Sequence, residues 1–151
     1  MKILNTIRSN QNDPVSILLS KIWVFLSLNY ILCDLLSNME KSVLRMLLEG
    51  NVGGVPMTEG MLLFAAVSLE IPFLMILLST ILPYKTNRII NVAAAILMIV
   101  YQLGSFFFGS DVTLHYTFFS AVEILANSAI FILALKWKQS VKGEKEEKYA
   151  V

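Results

Sequence analysis

Three carboxylic acids stand inside otherwise apolar stretches of this sequence: Asp34, Glu70 and Glu123. Glu70 falls near the middle of the apolar run 61–82 and Glu123 near the middle of 114–135, while Asp34 lies toward the end of 15–36. A carboxyl group surrounded by hydrocarbon can hold a cation, exchange a proton or act as a general acid or base, and it is costly unless a partner shields it. The polar residues around these acids follow helical spacing. Tyr116, Ser120, Glu123 and Asn127 are separated by four, three and four residues and so share one helical face. Ser20, Trp23, Ser27, Tyr30 and Asp34 line a similar face in the first run, and Asn91, Ala95, Met98, Gln102 and Ser105 do so in the third. The expected ligand-binding set is Glu70, Glu123 and Asp34, supported by Asn29, Tyr30, Gln102, Tyr116, Ser120 and Asn127. Pro72 cannot donate to the carbonyl of Ser68, so a break in the helix, and a cavity with it, is expected beside Glu70.

Each of these residues also has a plainer reading. The two glutamates can serve packing specificity alone, hydrogen-bonded to Asn29, Gln102 or Tyr116. Asp34 is close enough to the end of its run to meet water, Lys21 can snorkel to headgroups, and Cys33 can be a small packing residue. His115 and Cys33 are the single histidine and cysteine. With one of each, a disulfide, a Cys-x-x-Cys redox pair, a thiolate cluster and a zinc site built from these residues within one chain are excluded. No catalytic signature, metal site or cofactor motif is read.

The elements that must position these groups follow from composition. Of 151 residues 56% are hydrophobic and 15% charged, with a mean hydropathy of +0.69; soluble domains carry about 25% charged residues. The apolar residues come in four blocks, 15–36, 61–82, 89–108 and 114–135, each close to the roughly 20 residues that span ~30 Å of hydrocarbon as a helix. They lack the alternation of a β-barrel. The expected fold is an all-α membrane protein: a bundle of four transmembrane helices, with a short amphipathic interfacial helix between the first and second. In that helix Lys41, Arg45 and Glu49 share one face and Val43, Leu44, Leu47 and Leu48 the other, opened by a capping-box spacing from Ser37 to Glu40 and closed by Gly50. Asp13 and Pro14 read as the cap and first turn of the first span, and Thr58 as the cap of the second. Turns are expected at 51–56 and 109–111. The short connection 83–86 predicts that spans two and three pack as antiparallel neighbours. The chain therefore divides into an N-terminal arm (1–13), a transmembrane domain (14–138) and a charged tail (139–151).

Lys2, Arg8, Lys21, Lys85, Arg88, Lys136, Lys138, Lys142, Lys145 and Lys148 all fall on one side of these spans. Only Lys41 and Arg45 fall on the other. The positive-inside rule then places both termini in the cytoplasm, with the first span retained rather than cleaved as a signal peptide. A net charge of +1 argues against nucleic acid as a partner.

Several segments together carry a resemblance. Leu28-Asn29-Tyr30 with Cys33-Asp34, Leu69-Glu70-Ile71-Pro72, Leu82-Pro83-Tyr84-Lys85 with Asn87-Arg88 and Asn91, Tyr116 with Glu123, and Lys136-Trp137-Lys138 resemble an uncharacterised bacterial family of four-helix membrane proteins, a domain of unknown function. More distantly the chain is similar to DoxX-like membrane proteins. The resemblance implies a bacterial inner-membrane bundle and transfers no catalytic residues. The expected function is binding of a lipid-like or cationic small molecule in a buried acidic cavity. The alternatives are a proton-coupled transporter acting as a dimer, an accessory subunit of a membrane complex, and a membrane-embedded lipid enzyme. Membrane lipids and a second copy of the chain are the expected partners.

Overall fold

The computed structural model describes residues 13–52, 54–107 and 112–138. Among the described residues, five helices and one minimal hairpin follow in order: α1 (Pro14–Asn38), α2 (Lys41–Leu48), β1 (Asn51–Val52), β2 (Val55–Pro56), α3 (Glu59–Ile81), α4 (Tyr84–Ser105) and α5 (Leu114–Lys136). Four of them, α1, α3, α4 and α5, are long and apolar enough to cross a bilayer, the architecture of a multi-pass membrane protein.

Local signals set most of the boundaries. Asp13 accepts a hydrogen bond from the Val15 amide (2.9 Å) and Pro14 fills the first turn, so α1 opens as its sequence dictates. Thr58 caps α3 through Met61 N (3.3 Å), and Thr113 caps α5 through Tyr116 N (3.4 Å). Gly50 adopts φ 71° directly after α2, a left-handed conformation that favours glycine. The expected turn at 51–56 carries a two-residue antiparallel ladder, Asn51 opposite Pro56.

Two expectations at element ends are corrected. Ser37 does not open α2: α1 continues to Asn38, Glu40 precedes α2 without a side-chain bond, and Ser37 Oγ instead meets His115 Nε2 at 3.3 Å. The connection at 83–86 is shorter than expected, because α4 starts at Tyr84, its first turn preset by Pro83 at φ −63°. This tight joint does not make α3 and α4 close neighbours. The intimate pairings are α1 with α3, α1 with α5 and α4 with α5, while α3 and α4 touch lightly. The N-terminal arm, Gly53, the turn at 109–111 and the charged tail lie outside the described residues.

The core is built around α1. Leu19, Trp23 and Leu26 are fully buried, joined by Met75 of α3, Ala95 and Met98 of α4, and Ile130 of α5. The outward faces carry many exposed Leu, Ile, Val and Phe side chains. A bundle meant for hydrocarbon solvent needs no polar exterior.

Candidate functional site

Three of the expected polar faces turn inward. On α5, Ser120, Glu123 and Asn127 are buried, each exposed to 1% or less. On α4, Asn91 and Ala95 are fully buried and Gln102 nearly so, and on α1 the same holds for Trp23, Ser27 and Tyr30. Asn29 is also buried, but its amide donates to the Phe25 carbonyl of its own helix (3.0 Å).

Within this polar column the partners differ from those expected of Glu123. Gln102 Nε2 donates to Ser120 Oγ (2.6 Å), and the Tyr116 hydroxyl pairs with Ser105 Oγ. Asn127 Nδ2 donates to the Tyr30 hydroxyl (2.9 Å) and to the backbone carbonyl of Glu123 (2.9 Å), one turn back on the same helix. That leaves two buried acceptors, Glu123 Oε1 and Asn127 Oδ1, without a hydrogen-bond donor among the described residues. An unmet buried acceptor forfeits about 1–3 kcal/mol, so two of them one turn apart mark the place where the fold is least satisfied. Asp34, exposed on α1, lies within electrostatic range of Glu123. Chemically the cluster offers two carboxyl groups and an amide oxygen as acceptors, and neither Glu123 Oε1 nor Asn127 Oδ1 receives a hydrogen bond from a described residue.

Glu70 does not join it. The structure leaves Glu70 exposed on the outer face of α3, which corrects the expectation that both central acids point inward. The reason lies in helical geometry. Ser68, Pro72, Met75 and Ser79 form the buried face of α3 at spacings of four, three and four. Glu70 stands two residues from both Ser68 and Pro72, about 200° around the helix from each, and must face away from the bundle.

A second buried polar cluster, richer in hydrogen bonds, lies toward the joint between α3 and α4. Asn91 Oδ1 accepts from Trp23 Nε1 (2.7 Å) and from Ser79 Oγ (3.2 Å), and Asn91 Nδ2 donates to Asn87 Oδ1 (2.7 Å). Asn87 Nδ2 in turn donates to the Ser79 carbonyl (2.6 Å), which also accepts from Ser16 Oγ (2.5 Å). Residues 16, 79 and 87 were not among the expected site residues. The i, i+4 spacing of Asn87 and Asn91 on one helix was the available signal. These groups satisfy one another and tie α1, α3 and α4 together.

At the same end of the bundle, Trp137 Nε1 donates to Asp13 Oδ2 (3.1 Å), the Tyr84 hydroxyl donates to the Trp137 carbonyl (2.8 Å), and the two rings meet edge to face with centroids 5.1 Å apart. Arg88 donates to the Leu135 carbonyl (2.7 Å) beside them. An open depression there is lined by Tyr84, Arg88, Leu135, Lys136, Trp137 and Lys138.

The family model described as a family of unknown function, DUF6326, matches residues 1–143. The chain belongs to this family. No curated protein and no solved structure matches the chain. The DUF6326 match spans every residue of both polar clusters, so the column around Glu123 and the network around Asn91 lie within the family's own domain. Among the described residues no group of three or more His, Cys, Asp or Glu side chains is placed to hold a metal ion.

Proposed function

We propose that this protein binds a cationic or hydrogen-bond-donating amphiphile inside its helix bundle, with Glu123 as the acceptor of its polar group. The reading rests on one observation: Glu123 Oε1 and Asn127 Oδ1 are buried, one turn apart on one helix face and both without a donor among the described residues. A protonated amine matches that deficit, since it brings several N–H donors and a positive charge to a site of unpaired acceptors. Tyr30, Gln102, Tyr116 and Ser120 line the column on either side and fix its polar length. Asp34 supplies a second negative charge at an exposed position, where it would draw a cation toward Glu123. Because Glu123 is almost completely enclosed, binding requires α1 and α5 to part locally.

This reading sets the chain in a bacterial inner membrane with both termini cytoplasmic. It places α2 in the outer interface, apolar face down.

The test is thermal unfolding in detergent with and without a panel of hydrophobic amines. The native protein is expected to gain stability with at least one amine, and Glu123→Gln to lose that gain while remaining folded. An equal gain in Glu123→Gln would remove the carboxylate from the reading.

A further inference from the structure

Glu70 is the central residue of the 23-residue helix α3, yet it is exposed and its carboxyl group makes no hydrogen bond or ion pair with another described residue. A helix rise of 1.5 Å per residue puts it about 16 Å from either end, farther than a glutamate side chain can snorkel. Nor, among the described residues, is a cation placed to meet it. Lys85, Arg88, Lys136 and Lys138 lie at or near helix ends, Lys21 two turns into α1, and Lys41 and Arg45 on α2.

The surface around Glu70 has a regular form. Leu63, Val67, Glu70, Leu74, Leu77 and Ile81 follow at spacings of four, three, four, three and four, and all six are exposed. That spacing is a heptad seam, the pattern by which two helices pack along their length at a small left-handed crossing angle. Exposed apolar side chains are ordinary on a membrane helix. A seam with one acid at its centre is not, because lipid cannot satisfy the carboxyl group. Single polar residues within such seams fix register and partner number in helix pairs. α3 is also the spanning helix with the smallest buried share.

We infer that α3 is the interface for a second copy of this chain, with the two Glu70 carboxyls facing each other across a two-fold axis. Two copies inserted with the same orientation pack α3 in parallel about a two-fold axis along the membrane normal, so each seam residue, Glu70 included, meets its own counterpart at the same depth. A carboxyl is suited to that meeting, since its protonated form both donates and accepts and two such groups close a reciprocal pair. The inference is independent of the ligand assigned to Glu123, which lies inside the bundle on α5.

Oxidative cross-linking of the full chain in its membrane tests this. In a Cys33→Ala background, cysteines placed at Val67 or Leu74 flank Glu70 on the seam, and Leu125→Cys on the exposed face of α5 serves as the control. Val67→Cys or Leu74→Cys is expected to give a covalent dimer and Leu125→Cys none. Glu70→Leu, measured by dimer dissociation in detergent, should weaken association by about tenfold, the scale of one interhelical polar contact. Glu70→Gln, which also donates and accepts, should retain it. Cross-linking at α3 no greater than at Leu125, or an undiminished dimer in Glu70→Leu, would overturn the inference.

Discussion

Glu123 and Asn127 stand one turn apart on α5, and their unmet acceptors make the centre of the bundle less satisfied than the network beside it. A carboxyl group kept under-bonded without ligand should be replaced by its amide at no cost, because the amide brings a donor to the unmet acceptors. Glu123→Gln is therefore expected to match or exceed the native protein in ligand-free thermal stability, by up to about 1–3 kcal/mol; a lower melting temperature would mean that the carboxylate has a structural partner. Tyr30→Phe removes one of the two acceptors of Asn127 Nδ2 and should cost about 1 kcal/mol in the same measurement, leaving the bundle folded. At this scale the sequence was half legible. The spacing of Tyr116, Ser120, Glu123 and Asn127 identified the inward face of α5. It could not assign hydrogen bonds: Gln102 chose Ser120 and Tyr116 chose Ser105 over Glu123. Such choices depend on axial offsets between helices, which spacing within one helix does not carry.

Among the elements, α3 is where reading by residue type and reading by face part company. An acid at mid-span invites an inward assignment, yet Ser68, Pro72, Met75 and Ser79 already supply a small, closely packing face. The two faces are mutually exclusive on a helix, and packing across the whole length outweighed one carboxyl. The same stripe was visible in the sequence once Glu70 was set aside. The tight joint at Leu82 and Pro83 also promised a close α3–α4 pair, whereas α1 takes the central position and draws both α3 and α5 to itself. Trp23 explains part of this, since it is fully buried and reaches Asn91 on α4. Asn91→Ala strips Trp23 Nε1, Ser79 Oγ and Asn87 Oδ1 of a partner at once. It should lower stability by about 1–3 kcal/mol for each group left unmet, against a near-neutral Leu125→Ala on the exposed face of α5, both read by thermal unfolding.

For the whole molecule, the distribution of hydropathy was the most legible property. Four apolar runs gave four spanning-length helices, with ends within five residues of those expected wherever they are described. The basic residues at the α3–α4 joint and after α5 share the end of the bundle where Asp13, Tyr84, Arg88 and Trp137 lock together. Under the positive-inside rule that end of the bundle is expected to face the cytoplasm. Reporter fusions at the C-terminus should accordingly be active only when the reporter works in the cytoplasm, and a periplasmic signal would reverse the orientation proposed for the bundle.

The account as a whole turns on what meets Glu123. An experimental structure of the full chain with a stabilising hydrophobic amine bound tests this most directly. The amine nitrogen is predicted within hydrogen-bonding distance of both Glu123 Oε1 and Asn127 Oδ1, between α1 and α5. An amine seated elsewhere, with both oxygens still without a donor, would contradict the proposed function.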